Sequence, residues 1–186
     1  IKVTVDIGII GNGDGEINNL LDDRNVYDGK AGIEYRGSSS MMFPKRNYGF
    51  ETRTPAGTDS AVSLLGMPAE SDWVLHGPYS DKALMRNFMA YNLARGMGHY
   101  APRTKFCELF VDGQYHGVYV LIEKIKRDTN RVAIAKLDTA DITGNDLTGG
   151  YIVKVDRTND GYQDGWFSPF PGTGTSGEGP FFAYHY

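Results

Sequence analysis

Cysteine is scarce in this sequence: Cys107 is the single thiol in 186 residues. One thiol excludes an intrachain disulfide framework and a cysteine-only zinc site. Its setting, KFCELFV, alternates like a strand, so Cys107 reads as a small buried apolar residue. A basic surplus is also missing: 19 Lys and Arg stand against 23 Asp and Glu, for a net charge of −4. A broad nucleic-acid footprint needs cationic excess, so nucleic acid is not an expected partner, while a local basic patch stays open. No apolar run reaches the roughly 20 residues of a transmembrane helix. No secretory signal is present, and the chain starts at Ile1 rather than Met, which fits a processed, trimmed or excised product.

Several catalytic and metal patterns are absent as well. The histidines, His76, His99, His116 and His185, show no helical ligand spacing and have no cysteine pair beside them. Neither the G-x-S-x-G elbow nor the G-x-x-x-x-G-K-S/T phosphate loop occurs. NGDGEI, 12–17, has the flavour of a calcium loop, but the first and twelfth ligand positions would be Ile10 and Leu21. It is read as an Asn/Asp/Gly turn.

What is present is a soluble-domain composition, 40% apolar and 23% charged, in a length that buries a real core. IKVTVDIGII, 1–10, is β-branched and alternating, and reads as a strand. Residues 18–30 read as a loop or edge excursion, followed by strands at 31–37 and 47–54 and a loop at 54–61. DWVL, 72–75, is a short apolar run. A helix is expected over 81–96. Ser80 is its expected N-cap, Asp81 suits its positive end, and Leu84, Met85, Phe88, Met89 and Leu93 recur on one face. Gly96 or Gly98 ends it. RTKFCELFV-DG-QYHGVYVLIEKI, 103–125, is a hairpin closed by a type I′ turn at Asp112-Gly113. RVAIAKL, 131–137, and TGGYIVKVDR, 148–157, read as further strands. From Asn159 to Pro180 the chain reads as a long Gly/Pro/Ser/Thr loop with scattered aromatics. This is α+β: an antiparallel sheet with one long packed helix. The expected division is 1–158, a folded lobe, and 159–186, a loop leading to a missing carboxyl-terminal part.

RGSSSMMFPKR, 36–46, carries the chemistry of most interest. Gly37 lets the chain turn, and Ser38, Ser39 and Ser40 offer hydroxyls and backbone amides. Arg36 enters the turn, while Lys45 and Arg46 return along the next strand. Amides in a turn with flanking cations form an anion site, so a phosphate group is one reading and a solvated surface hairpin the other. Arg86 on the helix reads as a solvated or structural ion-pair residue, or as a cleft cation beside Lys45. The backbone at 122–125, with Glu123 and Lys124, reads as a strand leaving the core or as the edge of a ligand pocket. Trp73, Trp166 and the tyrosines read as core or loop-packing residues.

Four stretches in this order, GIEYRGSSS…FPKRNYGFE, SDWVLHGPYSDKALMRNFMAYNLARGMG, YAPRTKFCELFVDGQYHGVYVLIEKI and GGYIVKVDR, resemble the CotH family of spore-coat-protein-H-like proteins. That family is regarded as atypical protein kinases with a divergent kinase-like fold. The resemblance covers residues 31–157. It implies a kinase-like amino-terminal lobe that binds nucleotide, with Arg36, Gly37, Ser38 and Ser39 in a turn over the phosphates. It further implies Lys45 or Arg46 as the phosphate-binding cation, residues 81–96 as the helix behind, and Glu123 and Lys124 at the hinge edge. ATP and Mg are the expected cofactors of the full-length protein. A protein substrate or an envelope or coat protein is the expected partner, and export or the cell envelope the expected location. There are departures. Ser38 stands where the family usually has Asn. The glycine loop G-x-G-x-x-G is absent, and the helix offers no glutamate to pair with Lys45. No Trp-Asp-x-Asp-like element with catalytic and magnesium-binding aspartates occurs before Tyr186. The resemblance therefore implies an amino-terminal portion, inactive as isolated. A different class of function, a non-catalytic extracellular glycan- or protein-binding module, rests on the aromatic tail from Tyr162 to Tyr186.

Overall fold

The computed structural model of the protein describes residues 1–148, 150–155, 165–170 and 180–184. The chain divides into two compact units, Ile1–Ile125 and Lys126–Tyr186. The boundary expected at 158/159 falls outside the described residues, as does Asp156.

The first unit is built on six strands: β1 (Val3–Ile9), β2 (Tyr27–Arg36), β3 (Asn47–Arg53), β6 (Asp72–His76), β7 (Thr104–Val111) and β8 (Gln114–Glu123). They form one antiparallel sheet in the order β1-β2-β3-β6-β8-β7. The expected strand at 31–37 begins earlier, at Tyr27, because residues 27–33 pair one for one with the whole of β1. Asp112 and Gly113 both take positive φ, 49° and 77°, and close the β7–β8 hairpin as the type I′ turn requires. A further hairpin, β4 (Val62–Leu64) with β5 (Met67–Glu70), was not expected. Its turn is Leu65-Gly66, and Leu65 itself adopts φ 51°.

Successive strand residues point to opposite faces, which gives the sheet two different sides. One buries Ala31, Phe50, Trp73, Leu75, Tyr119 and Leu121 in the main core, joined by Leu64 and Met67 of the small hairpin. The other carries Val74, Val120 and Ile122, with Tyr91 packed against them.

Tyr91 belongs to α1 (Arg86–Gly96), the single α-helix among the described residues. The helix begins later than expected, and Ser80 is not its cap. Leu84 adopts φ 60°, which interrupts helical geometry, and Leu84 N–H closes a turn onto the Asp81 carbonyl. The Asp81 carboxylate then accepts from the Ala83 and Arg86 amides at 3.1 and 2.8 Å, so it satisfies a first-turn donor from five residues away. Those amides hold the Asp81 carboxyl below its ordinary range. Gly98, at φ 83°, follows the helix, and the His99 N–H reaches back to the Ala94 carbonyl. The expected apolar face is buried only in part: no residue of α1 is fully buried, and Met85, Met89 and Leu93 stay exposed while Phe88 packs on the sheet. The helix holds the sheet through Tyr91, a ring stack of Phe88 on Phe106 at 4.6 Å, and Asn92 Nδ2 donating to Thr104 Oγ1 at 2.9 Å.

In the second unit, β9 (Val153–Val155), β10 (Gly165–Phe167) and β11 (Phe181–Tyr184) form a small antiparallel sheet in the order β10-β11-β9. Residues 131–137 form no strand. A lone bridge of Arg127 with Val132 and a short bond from Ile134 N–H to the Val132 carbonyl replace the expected ladder. The strand expected at 148–157 is confined, among the described residues, to Val153–Val155. Gly165–Phe167 is strand rather than part of a continuous loop; the remainder of 159–180, apart from 168–170 and Pro180, lies outside the described residues.

Candidate functional site

The site lies on the helix side of the sheet. Arg36, the last residue of β2, is the register partner of Asn47, the first of β3. The ten residues between them make the serine turn. Ser39–Met42 coil into a single 3₁₀ turn, with the Met41 amide on the Ser38 carbonyl and the Phe43 amide on the Ser40 carbonyl. Gly37 enters the turn at φ 118°, and a Cβ there would collide with the Ser40 hydroxyl. Glycine thus allows Ser40 to fold back toward the strand end.

Asn47 ties this corner to the next strand. Its Oδ1 accepts from the Gly77 amide at 2.8 Å and from His76 Nδ1 at 3.0 Å. A carbonyl oxygen has no proton to give, so Nδ1 carries the hydrogen and Nε2 is left as an acceptor. Burial pushes the His76 imidazole below its ordinary 6.5; Lys45 and Arg36 act in the same direction and Asp81 opposes them. The ring is therefore neutral near pH 7.

These residues line a cavity of about 220 Å³. Arg36, Gly37, Ser40, Asn47, His76 and Asn87 make its polar end. Val74, Tyr91, Pro102, Ile122 and Ile125 supply an apolar wall, with Glu123 beside them. One cation, one hydroxyl and two amides, beside an apolar wall, suit a ligand with an anionic head and an apolar ring. Ligand pockets usually hold ~300–1,000 Å³, so the slot accepts part of a nucleotide rather than the whole.

A smaller cavity of about 90 Å³ adjoins, sharing Arg36 and Val74 and adding Lys2, Glu34, Asp72 and Lys124. Charges alternate here. Lys2 Nζ bonds the Glu51 carboxylate and lies 3.7 Å from Asp72; Lys124 lies 3.3 Å from Asp72, and Arg53 Nε 2.9 Å from Glu51. Burial works against the charged form of Glu51, yet Lys2 and Arg53 hold its carboxyl below the ordinary range.

The expected site residues are thus dispersed. Arg36 and Gly37 line the main cavity. Ser38 makes no side-chain capping bond and, like Ser39, is exposed. Lys45 goes elsewhere: its ammonium donates to the Val118 carbonyl at 2.5 Å and sits 4.7 Å over the ring of Tyr119, a residue of the main core. Burial lowers its pKa. Arg46 lies over the Tyr35 ring at 5.9 Å, and its Nη1 is buried without a hydrogen-bond partner among the described residues. Glu123 borders the cavity, but its carboxylate is occupied: Oε1 takes Arg103 Nη1 at 2.9 Å and Oε2 the Arg103 amide at 2.8 Å. Lys124 belongs to the smaller cavity. Arg86 is solvated, 79% exposed, with a loose 3.5 Å pair to Asp81.

Asn47, His76 and Tyr91 were missed as site residues. The signal for Asn47 was weak but present: a polar residue opening a strand, directly across from the arginine that ends the preceding one.

A model of the CotH kinase protein family matches residues 33–170. The chain belongs to the CotH family. The matched region contains the end of β2, the serine turn, β3, the helix and the β7–β8 hairpin, and so every lining residue of the main cavity. Comparison with curated proteins gives no match.

In a CotH chain an adenine nucleotide and magnesium are the groups to test against the residues present. The slot between Val74, Ile122 and Tyr91 suits a planar ring, and Arg36 with Ser40 suits phosphate oxygens. Among the described residues no group of three or more His, Cys, Asp or Glu converges on one point, so magnesium here would be held chiefly through the phosphates and water.

Proposed function

We propose that this CotH-family chain is the nucleotide-cradling lobe of an atypical protein kinase. The γ-phosphoryl group of ATP would pass to a serine or threonine hydroxyl of a protein substrate, at the cell envelope or outside the cell. The observation that carries this reading is the Arg36–Asn47 corner: a guanidinium and a folded-back serine hydroxyl at the rim of an apolar slot, inside the family-matched region. Phosphoryl transfer relies on positioning and on charge stabilisation. Here Arg36 would hold phosphate oxygens, Asn47 would fix the corner and the neutral His76 would accept a hydrogen bond. Lys45, committed to Val118 and Tyr119, is assigned to structure rather than to phosphate.

Calorimetric titration with ATP–magnesium tests this on the protein, on Arg36→Ala and on Lys45→Ala. The expected result is an affinity loss of about tenfold for Arg36→Ala, or ~1.4 kcal/mol, with little change for Lys45→Ala. Equal affinity of the protein and Arg36→Ala would remove the reading. A second reading, binding of glycan or protein by the tail, is favoured by the exposure of Trp166, Phe167 and Phe170. Sugar binding on a glycan array, without nucleotide binding, would move the conclusion there.

A further inference from the structure

The outer side of α1 carries a stripe of apolar residues that neither the sheet nor the cavity uses. Met85, Met89, Leu93 and Met97 follow one another at four-residue spacing and are 42, 55, 66 and 66% exposed. Residues four apart lie one above the other on a helix, so the stripe runs about 18 Å at 1.5 Å per residue. Apolar surface grouped in this way marks an interaction site more often than scattered exposed residues do. Methionine, flexible and polarisable, is common on surfaces that receive helices.

The charge around the stripe narrows the occupant. From Lys82 to Lys105 the chain holds five Lys or Arg and no Asp or Glu, although the whole chain carries −4. Arg95 and Arg103 are spent within the fold, on the Ala101 carbonyl and on Glu123. Lys82 is exposed, with no carboxylate partner among the described residues, and Arg86 is largely solvated at the same end of the stripe. A second copy that met this face through its own α1 would set Lys82 and Arg86 against like charge, whereas an acidic helix would bring carboxylates to both.

We propose that the Met85–Met97 face of α1 is a docking surface for an amphipathic helix of a partner protein, one with apolar residues at matching spacing and Asp or Glu on its flanks. The apolar stripe supplies the contact area, as in helix-in-groove recognition, and Lys82 and Arg86 set orientation and partner choice. The surface is separate from the Arg36 corner, so the two readings stand or fall apart.

The probe is a dye-labelled synthetic peptide about five helical turns long, with leucine at four-residue spacing and glutamate on both flanks. It is compared with a scrambled peptide of the same composition by fluorescence anisotropy. The patterned peptide binds and the scrambled one does not; Lys82→Glu with Arg86→Glu weakens binding about tenfold, and Leu93→Glu abolishes it. Leu93 is exposed, so far-UV circular dichroism should be unchanged, and Leu93→Ala gives a milder second variant with a partial loss. Equal binding of both peptides, or full binding by a folded Leu93→Glu protein, overturns the proposal. So does a dimer in sedimentation that dissolves on Leu93→Glu, or Leu93-dependent binding to phosphatidylglycerol vesicles without peptide binding.

Discussion

The two faces of the central sheet are made by the same strands yet answer to different physics. On the core side, Phe50, Trp73, Leu75, Tyr119 and Leu121 exclude water together. On the helix side, three buried aliphatic residues, Val74, Val120 and Ile122, give way within one strand length to Arg36, Asn47, His76 and the Lys2–Glu51–Asp72–Lys124 ion pairs. The difference teaches where this fold keeps its stability and where it keeps its chemistry. A face dominated by buried aliphatic and aromatic side chains has little to offer a charged ligand. The other is half covered by a short helix, and its polar groups remain within reach of solvent.

The comparison breaks most easily at its centre. Trp73→Ala should cost about 3–5 kcal/mol by urea unfolding, and Val74→Ala, directly behind it on the other face, about 2 kcal/mol. Equal costs would mean that the two faces share the core. Next in size is Glu123→Ala at about 3 kcal/mol, because it removes a fully buried carboxylate that accepts from both the Arg103 guanidinium and the Arg103 amide; Glu123→Gln should recover part of the loss. Asn47→Ala removes the acceptor for Gly77 and His76 and should cost about 1–2 kcal/mol, while also weakening nucleotide binding if the corner is the phosphate end.

A pH titration separates the faces further. His76 has a folded-state pKa below its ordinary 6.5, so on acidification the unfolded imidazole takes up its proton first. Stability should therefore fall as the pH drops from about 7 through the lowered folded-state value, and His76→Asn should flatten that part of the curve. Glu51 acts lower on the scale: its depressed carboxyl contributes stability above the ordinary 4.5 that is lost as pH falls through the folded-state value. A curve unchanged by His76→Asn would mean that the ring is not held neutral. The smallest effect is at the helix start, where Asp81→Ala should lower the melting temperature and Ser80→Ala should leave it nearly unchanged.

Local patterns carried much of this fold. Alternating Val and Ile named β1, Asp112-Gly113 named a type I′ hairpin, and the polar DDRN stretch named a loop, because each depends on residues close in sequence. Where long-range packing intervened, local reading erred. The spacing of Leu84, Met85, Phe88, Met89 and Leu93 described a helix correctly but the core-facing side only in part: Phe88 meets the sheet, together with Tyr91, while Met85, Met89 and Leu93 stay exposed. Ser80 had the right chemistry for a cap, yet the backbone turn at Leu84 gave that role to Asp81. In the site, Arg36 was legible as the end of a strand before a serine turn. Lys45 looked equivalent in sequence, two residues before the next strand, and only packing turned it toward Tyr119.

Sequence alone therefore determined the antiparallel α+β character of the chain, its Asp112-Gly113 hairpin and its CotH membership, all of which rest on residue type and spacing along the chain. Tertiary structure alone decided which side of the sheet each cation joined and that Asn47 and His76 meet. Strand register and side-chain alternation set those contacts, and both depend on partners that are distant in the sequence.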